Sequence, residues 1–383
     1  MPEKQNIKNH LSWWEYDQML KDIDYTIIGG GIVGLSTAIE IKKTDFSKKV
    51  LIVDKKSLPF GASTKNAGFA CFGSISEIMD DYNLYGEQVC QKLIKMRWKG
   101  LSILKSRVPA ATMNYKPKPG AEIFQGNDEF DQYVEQIGWA NKLVAPVVQD
   151  NQCFSHSRGP FGSEIVNRFE GCLNPQKMMS ALEIEARKLG VSFIYGFKVN
   201  DIDFEQRMIV SDQGSMGFNQ LVVCTNGFTS RLLSSYDVKP ARNQVLITEK
   251  IDGFSLDRCY HMNKGYVYFR EIDGRLLLGG GRDLDKEGET TDQLGSTALI
   301  EEYLNDLMDN HILKGKEYTI AHRWSGILGV GASKMPIVER INDHTLLAVR
   351  MGGMGVAIGS FIGEVVTAML FENDNSAHRL FVT

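Results

Sequence analysis

No two of the six cysteines stand close together in this sequence. Cys71, Cys90, Cys153, Cys172, Cys224 and Cys259 form neither a C-x-x-C pair nor a zinc pattern. Scattered thiols of this kind suit a reducing compartment, so a cytoplasmic protein is expected. Charge of one sign is missing as well. With 43 basic and 47 acidic residues the net charge is −4, which leaves no electrostatic footprint for nucleic acid. The N-terminal stretch MPEKQNIKNHLSWWEYDQML lacks the apolar run of a signal peptide. Internal repeats and low-complexity segments are absent too. What remains is a chain of 383 residues with 43% hydrophobic and 23% charged content. That length predicts two or three domains with ample material for a core.

The most informative stretch is YTIIGGGIVGLSTAIEIKKTDFSKKVLIVD, residues 25–54. A β-type run meets Gly29, Gly31 and Gly34 at G-x-G-x-x-G spacing. A helical pattern opens with Ile32 and Val33, and a second β-type run ends on Asp54. This is a βαβ unit with every part of a dinucleotide fingerprint. Gly29 permits the tight turn, Gly31 lets a pyrophosphate approach the backbone, and Gly34 lets the helix pack close to the strand. The helix N-terminus offers N–H groups and partial positive charge to phosphate, and Asp54 offers acceptors to ribose hydroxyls. The fingerprint alone does not separate FAD from NAD.

After Lys55 comes GASTKNAGFACFGS, residues 61–74, rich in small side chains. Following the βαβ unit it reads as a cofactor loop. Gly61, Ala62, Ala67 and Gly68 let backbone lie against a flat ligand, and the Ser63 and Thr64 hydroxyls and the Asn66 amide can bind phosphate or ribitol oxygens. A short amphipathic helix is expected over 10–20, with Trp13 and Trp14 as packing residues. Residues 75–115 read as mostly helical, and 116–164 are mixed. Asn174 and Pro175 mark the start of a helix that runs to about Leu189 and stops at Gly190. Strands are expected at 191–195 and 221–224, several more over 241–285, a helix near 294–311 and a strand near 318–324.

Residues 351–371 form the only run of bilayer length, and it contains Glu364. A charge at the bilayer centre costs on the order of 3 kcal/mol. Gly355, Gly359 and Gly363 repeat at four-residue spacing behind Gly352 and Gly353. We therefore expect a buried helix against a sheet and a cofactor, and no transmembrane segment.

Taken in order, the sequence resembles the D-amino-acid oxidase, glycine oxidase and sarcosine oxidase family of FAD-dependent oxidoreductases. The resemblance rests on the fingerprint with Asp54, GASTKNAG (61–68), LNPQKMMSALEIEARKLGV (173–191), VVCTNGFTSRLL (222–233) and GGMGVAIGSFIG (352–363). Within the family, GYVYFREIDGRLLLGGGRD (265–283) is similar to the γ-glutamylputrescine oxidoreductase branch. The resemblance implies an α/β fold: a Rossmann-like FAD-binding domain plus an α+β substrate domain with a mainly antiparallel sheet. The FAD domain would be discontinuous, from 20–80, 165–240 and 335–383. The substrate domain would take 81–164 and 241–334, and 1–19 would be a helical extension. FAD would be bound non-covalently, since no cysteine stands in a recognisable attachment context. Lys65 would lie with Ser63, Thr64 and Asn66 along phosphate and ribitol, Val199 would meet the adenine side, and Thr225, Asn226 and Gly227 would be close to the cofactor. Gly353, Met354, Gly355 and Val356 would meet the flavin ring at a helix N-terminus.

The resemblance also implies chemistry: oxidation of a C–N bond in an amine or amino acid by hydride transfer to flavin N5, then hydrolysis of the imine. Oxygen or another electron acceptor would reoxidise the flavin. Family members often clamp a substrate carboxylate with arginine in W-x-G-x-R-P. Here Trp324 to Gly329 reads WSGILG, with Leu328 at the arginine position. Arg270, Arg282 and Arg323 are the substitute cations, Arg270 foremost. Tyr266 and Tyr268 alternate on a strand as pocket-lining candidates. His322 is the candidate base, and Lys264 is a nearby lysine. Two further readings stay open on the residues alone. One is an FAD-dependent 2-hydroxy acid dehydrogenase with His322 as base; the other is a flavoprotein whose flavin is structural or a redox sensor. An NAD-dependent dehydrogenase would share the fingerprint.

Overall fold

The strand Tyr25–Ile28 is buried at all four positions and has a parallel neighbour on each side. A computed structural model describes residues 6–55 and 61–371 of the chain. Residues 1–5, 56–60 and 372–383, which include the ends of the expected N- and C-terminal segments, lie outside the described residues. The sheet around Tyr25–Ile28 has six strands. Their order is Ile337–Asn342, Thr345–Val349, Gln220–Val223, Tyr25–Ile28, Val50–Asp54 and Ser192–Tyr195. All neighbours are parallel except the antiparallel edge strand Ile337–Asn342. Parallel strands covered on both faces read as continuous apolar runs, which is why the alternation of a half-exposed strand is missing from 25–28 and 220–223.

The two-residue period still divides the core. Ile27, Ile52, Val222 and Leu346 join the helices Ile32–Thr44, Pro175–Lys188 and Gly355–Phe371 in one cluster. Ile28, Val53, Val223 and Leu347 face the other way, onto Phe197, Ile202, Ile209 and Met216. The last three belong to a meander of Val199–Asp203, Met208–Ser211 and Gly214–Gly217.

A second sheet has eight strands, in the order Ile320–Val330, Lys239–Thr248, Arg275–Gly280, Val267–Ile272, Cys259–Met262, Gly120–Ile123, Gly162–Asn167 and Phe154–Gly159. It is antiparallel except where Cys259–Met262 meets Gly120–Ile123. The fold is thus α/β with a Rossmann-like parallel sheet and a second, mainly antiparallel one. The mixed region 116–164 resolves into Gly120–Ile123, the helix Asn127–Val148 and the start of a hairpin.

Several helices follow their local signals. Asn174 caps Pro175–Lys188 by accepting the Lys177 N–H, and Gly190 follows at φ 86°. Ser74 and Glu77 form a capping box at the head of Ile75–Arg107, which kinks at Gly86. Trp13 and Trp14 correct the expectation of packing. Their helix, Trp13–Met19, is only seven residues long, and they are 59% and 74% exposed. Ile7 and Leu20 make the apolar contact there instead.

The helix Gly355–Phe371 packs mainly on other helices rather than on the sheet. A Cβ on Gly363 would lie 2.6 Å from Ser36 Cβ, and one on Gly359 2.7 Å from Ile32. From the other side, a Cβ on Gly100 would lie 2.0 Å from the Ala357 carbonyl oxygen. Glu364 pairs with Lys99 at 2.9 Å. No helix among the described residues is long and apolar enough to cross a membrane.

These contacts distinguish two glycines in helices. Gly100→Ala should destabilise the protein by roughly 1–3 kcal/mol, because the backbone of the facing helix cannot yield. Gly138→Ala, in open space on Asn127–Val148, should stabilise it by up to about 1 kcal/mol. Urea denaturation midpoints that move in opposite directions would bear this out; equal shifts would refute it.

Candidate active site

Two cavities meet at Ala62, which lines both. The smaller, about 140 Å³, opens over the first strand, turn and helix. It is lined by Gly29, Gly30, Gly31, Asp54, Lys55, Gly61–Thr64, Val199 and Thr225–Phe228, among others. The Gly29 turn has φ 109°, and a Cβ on Gly34 would sit 2.0 Å from the Gly29 carbonyl oxygen. Helix and strand therefore touch through bare backbone. The helix starts at Gly31 with no side-chain cap, so its first-turn N–H groups are left for Ser63 and for a ligand. Ser63 Oγ accepts the Ile32 N–H at 3.0 Å, and Asp54 Oδ2 accepts the Gly30 N–H at 2.8 Å. A glycine backbone, a helix N-terminus and a strand-end carboxylate are the donors and acceptors that a diphosphate and a ribose require.

The larger cavity, about 420 Å³, is lined from four parts of the chain. Residues Lys65–Ala67 and Gly352–Met354 with Val356 contribute from the first sheet's side. Asn243, Val245, Tyr268 and Leu328 come from the second sheet, and Tyr266 comes from the turn just before the strand Val267–Ile272, which corrects the expectation that it alternates with Tyr268 on a strand. The long helix adds Glu77, Asp80 and Arg97, and 330–334 ends in Lys334. Tyr268 packs edge-on against Phe69, and its hydroxyl accepts a bond from Asn243 at 3.0 Å. Burial pushes that phenol well above its usual range.

Charges in this wall are paired in depth. Asp81 is 1% exposed and holds Arg97 at 3.1 Å and Lys334 at 2.8 Å. Lys264 pairs with Asp80 at 2.9 Å. His261 is buried, with Nε2 3.1 Å from Glu170 Oε2 and its ring against Phe69. Desolvation opposes its protonation, but the Glu170 charge and hydrogen bond outweigh it and lift the imidazole to about 9. Burial acts the other way on a carboxyl and lifts Glu122, bonded to Ser76, to about 7.

The structure sorts the expected residues. Tyr266 and Tyr268 both line the larger cavity, as do Lys264 and Arg282. Arg270 does not. Its Nε donates to the Ala67 carbonyl at 2.7 Å and its Nη2 to the Leu173 carbonyl at 3.0 Å. It ties the glycine-rich loop to the start of a helix, which corrects the expectation that it meets substrate. His322 is exposed, stacked on Trp324 and outside both cavities, because its strand position faces solvent. Arg323 donates to Asn305 at 2.8 Å, also outside the cavities. Asn66 spends its amide inside its own loop, on the Ala62 and Ser63 carbonyls and the Gly68 N–H. Asn226 accepts the Arg350 and Met351 N–H groups, so it anchors the crossover into the last helix. Ile32, Val33, Gly34, Gly68 and Gly355 shape the cavities without lining them. Reading from residues missed Gly30, whose place in the GGG run was the available signal. It also missed His261, Glu77 and Lys334; Glu77 is marked locally only as a capping-box residue, and nothing local marks the other two.

The family model described as FAD dependent oxidoreductase, DAO, matches residues 24–369. This chain belongs to that family. Gamma-glutamylputrescine oxidoreductase of Escherichia coli (strain K12) is 21% identical over 378 residues, covering 91% of this chain and 83% of that protein. Among solved structures, L-proline dehydrogenase from P. horikoshii aligns with TM-score 0.73 at 16% identity, over 93% of this chain and 95% of that one. Glycine oxidase from Bacillus cereus ATCC 14579 aligns with TM-score 0.69 at 15% identity, over 94% and 97%. The DAO-family protein described here is therefore an FAD-dependent oxidoreductase, and the glycine backbone and Asp54 suit the diphosphate and ribose of that cofactor.

The His261–Glu170 pair makes stability depend on pH. Its contribution is full below pH 6.5 and is lost as pH rises through about 9. Thermal midpoints from pH 6 to 10 should fall more steeply for the native protein than for His261→Asn. Parallel curves would remove the pair from the account.

Proposed function

We propose that this flavoenzyme oxidises the C–N bond of an amine or a derivatised amino acid. The observation that carries the reading is the pair of cavities meeting at Ala62, in a chain whose family is FAD-dependent. The smaller cavity suits the nucleotide and the larger one substrate beside the flavin. The printed names of relatives, among them gamma-glutamylputrescine oxidoreductase, D-amino acid dehydrogenase and glycine oxidase, support a nitrogen-bearing substrate.

In this reading Gly29–Gly31 and the start of Ile32–Thr44 hold the pyrophosphate, Asp54 the ribose, and Val199 the adenine side. Ser63 and Thr64 lie along phosphate and ribitol, and Gly353, Met354 and Val356 meet the ring. The FAD domain takes its pieces from 20–80, 165–240 and 335–383 and the substrate domain from 81–164 and 241–334, with two boundaries corrected: 164/165 would cut the strand Gly162–Asn167, which belongs to the second sheet, and 80/81 would cut the helix Ile75–Arg107. FAD supplies a two-electron acceptor at N5, so that a C–N single bond becomes an imine, which water hydrolyses. The protein's own task is orientation. Tyr266 and Tyr268 wall the substrate, and His261, held as a cation by Glu170, is no base at neutral pH. Cys71 lines the larger cavity, but burial pushes its thiol well above its usual range. A neutral thiol is a poor nucleophile, which supports non-covalent FAD. Oxygen or another acceptor takes the electrons, and the expected compartment is the cytoplasm. The 2-hydroxy acid reading loses its base, since His322 stands outside both cavities.

The test is a visible spectrum under anaerobic conditions, with amines, amino acids and 2-hydroxy acids added in turn and then air. A yellow protein bleached by an amine or amino acid is expected. Bleaching by hydroxy acids alone would overturn the reading, and no bleaching by any of them would favour a structural flavin. Rapid return of colour with peroxide identifies an oxidase, and slow return a dehydrogenase. Asp54→Ala should weaken FAD binding about 10- to 100-fold, the loss of a charged hydrogen-bond acceptor. Fluorescence titration of the apoprotein with FAD reads this directly.

A further inference from the structure

We propose that Cys172 and Cys259 form a peroxide-sensitive dithiol, which hydrogen peroxide converts to a reversible disulfide one layer behind the wall of the larger cavity. The proposal goes beyond the amine-oxidation reading above and does not depend on which substrate reduces the flavin.

Both cysteines are free thiols, buried at 3% and 0% exposure, and they stand on different sheets. Cys172 ends the short strand Gly171–Cys172, which lies between Phe69–Ala70 and Lys116–Pro117 in a small three-stranded sheet. Its opposite residue is Phe69, just after the glycine-rich loop. Directly opposed residues of an antiparallel pair share a face. Cys259 opens the strand Cys259–Met262 of the second sheet, and the two-residue period puts it on one face with His261. Phe69 and His261 meet edge-on across the gap between these faces, with ring centres 5.1 Å apart. Their neighbours on the same two faces meet as well: the Cys259 thiol donates a hydrogen bond to the Cys172 sulfur. Phe69 and His261 line the larger cavity, and the two cysteines do not. The thiols are therefore one residue pair away from it.

The surroundings favour one thiolate. The Cys259 hydrogen bond, with positive charge from Arg270, Lys118 and Lys116, holds the Cys172 thiol below its usual range against the opposing effect of burial. Cys259 is pushed the other way, because it supplies the proton of that bond and is itself buried. Arg270 is fixed in place, its Nη2 donating to the carbonyl of Leu173, next to Cys172. A thiolate beside a thiol is the arrangement that closes a disulfide in two steps. The Cys172 sulfur attacks one oxygen of the peroxide, the O–O bond breaks and hydroxide leaves. That hydroxide takes the Cys259 proton as water. The Cys259 sulfur then attacks the sulfenic sulfur, the S–O bond breaks and a second hydroxide leaves. The two sulfurs give up two electrons and one peroxide is reduced. The new bond ties the strand after the glycine-rich loop, through its neighbour Gly171–Cys172, to the second sheet. Thiol exchange in a reducing compartment reopens it. Where oxygen takes the electrons of the reaction, peroxide forms at the larger cavity, next to the pair.

The test treats the FAD-loaded protein with added hydrogen peroxide, stops the reaction with catalase, alkylates the remaining thiols in denaturant and maps the peptides by mass spectrometry. A linked Cys172–Cys259 peptide is expected, with an intact mass lower by about 2 Da and full reversal by dithiothreitol. It should form at least about 10-fold faster than peroxide consumes Cys90 or Cys224, whose thiols burial holds protonated. In Cys259→Ser the resolving sulfur is gone, so Cys172 should stop at the sulfenic acid and be captured by dimedone. In the native protein that adduct should be at least about 10-fold weaker, because the disulfide forms first. Native protein that keeps both thiols until Cys90 and Cys224 are oxidised would overturn the proposal, whatever the variant does. So would equal dimedone capture at Cys172 in native protein and variant. If no amine bleaches the flavin but added peroxide still links the two cysteines, amine oxidation fails and the dithiol stands.

Discussion

The rest of the structure depends on backbone touching backbone where a side chain would stand. At Gly34 a single Cβ would enter the Gly29 carbonyl oxygen. With that contact the helix Ile32–Thr44 lies close on the central strand, and its N-terminus meets the smaller cavity. The same helix then receives Gly359 and Gly363 of the last helix, and that helix receives Gly100. Three helices are thus layered through glycines. Such contacts tolerate little, because backbone cannot choose another rotamer. They carry position from the first thirty residues of the fold to Gly353 and Met354, more than three hundred residues later, at the larger cavity.

The larger cavity is governed by a different constraint, the high energy of an unpaired buried charge. Asp81 neutralises two cations at once, Glu170 holds His261, and Asp80 holds Lys264. Each pair removes a group from the set that can act on a ligand. What is left to face the larger cavity is a wall of tyrosines, a stretch of aliphatic surface and few uncommitted charges. That composition suits a reaction in which the cofactor performs the electron chemistry and the protein positions the substrate. Arg270 stays out of that cavity for the same reason. A buried guanidinium finds its acceptors in two nearby carbonyls, and those bonds hold the loop that carries Lys65–Ala67 against the cavity.

Local sequence determined the elements and the nucleotide end of the site. Gly29, Gly31, Gly34 and Asp54 act within one βαβ unit, so their spacing carries their geometry. Asn174, Pro175 and Gly190 mark their helix by the backbone groups they satisfy or free. The four-residue glycine repeat and Glu364 separated a buried helix from a membrane span. The lining of the larger cavity was decided only by tertiary structure. Arg270, Arg282, Arg323 and His322 are alike in sequence as polar groups on or beside strands. Register and the twist of one sheet put Arg282 in the cavity, Arg270 beneath a loop and His322 in solvent. His261 and Glu170 are ninety-one residues apart and meet across the chain. No periodicity reports such a meeting, because a side chain's partner is set by which distant backbone segment the core packing brings beside it.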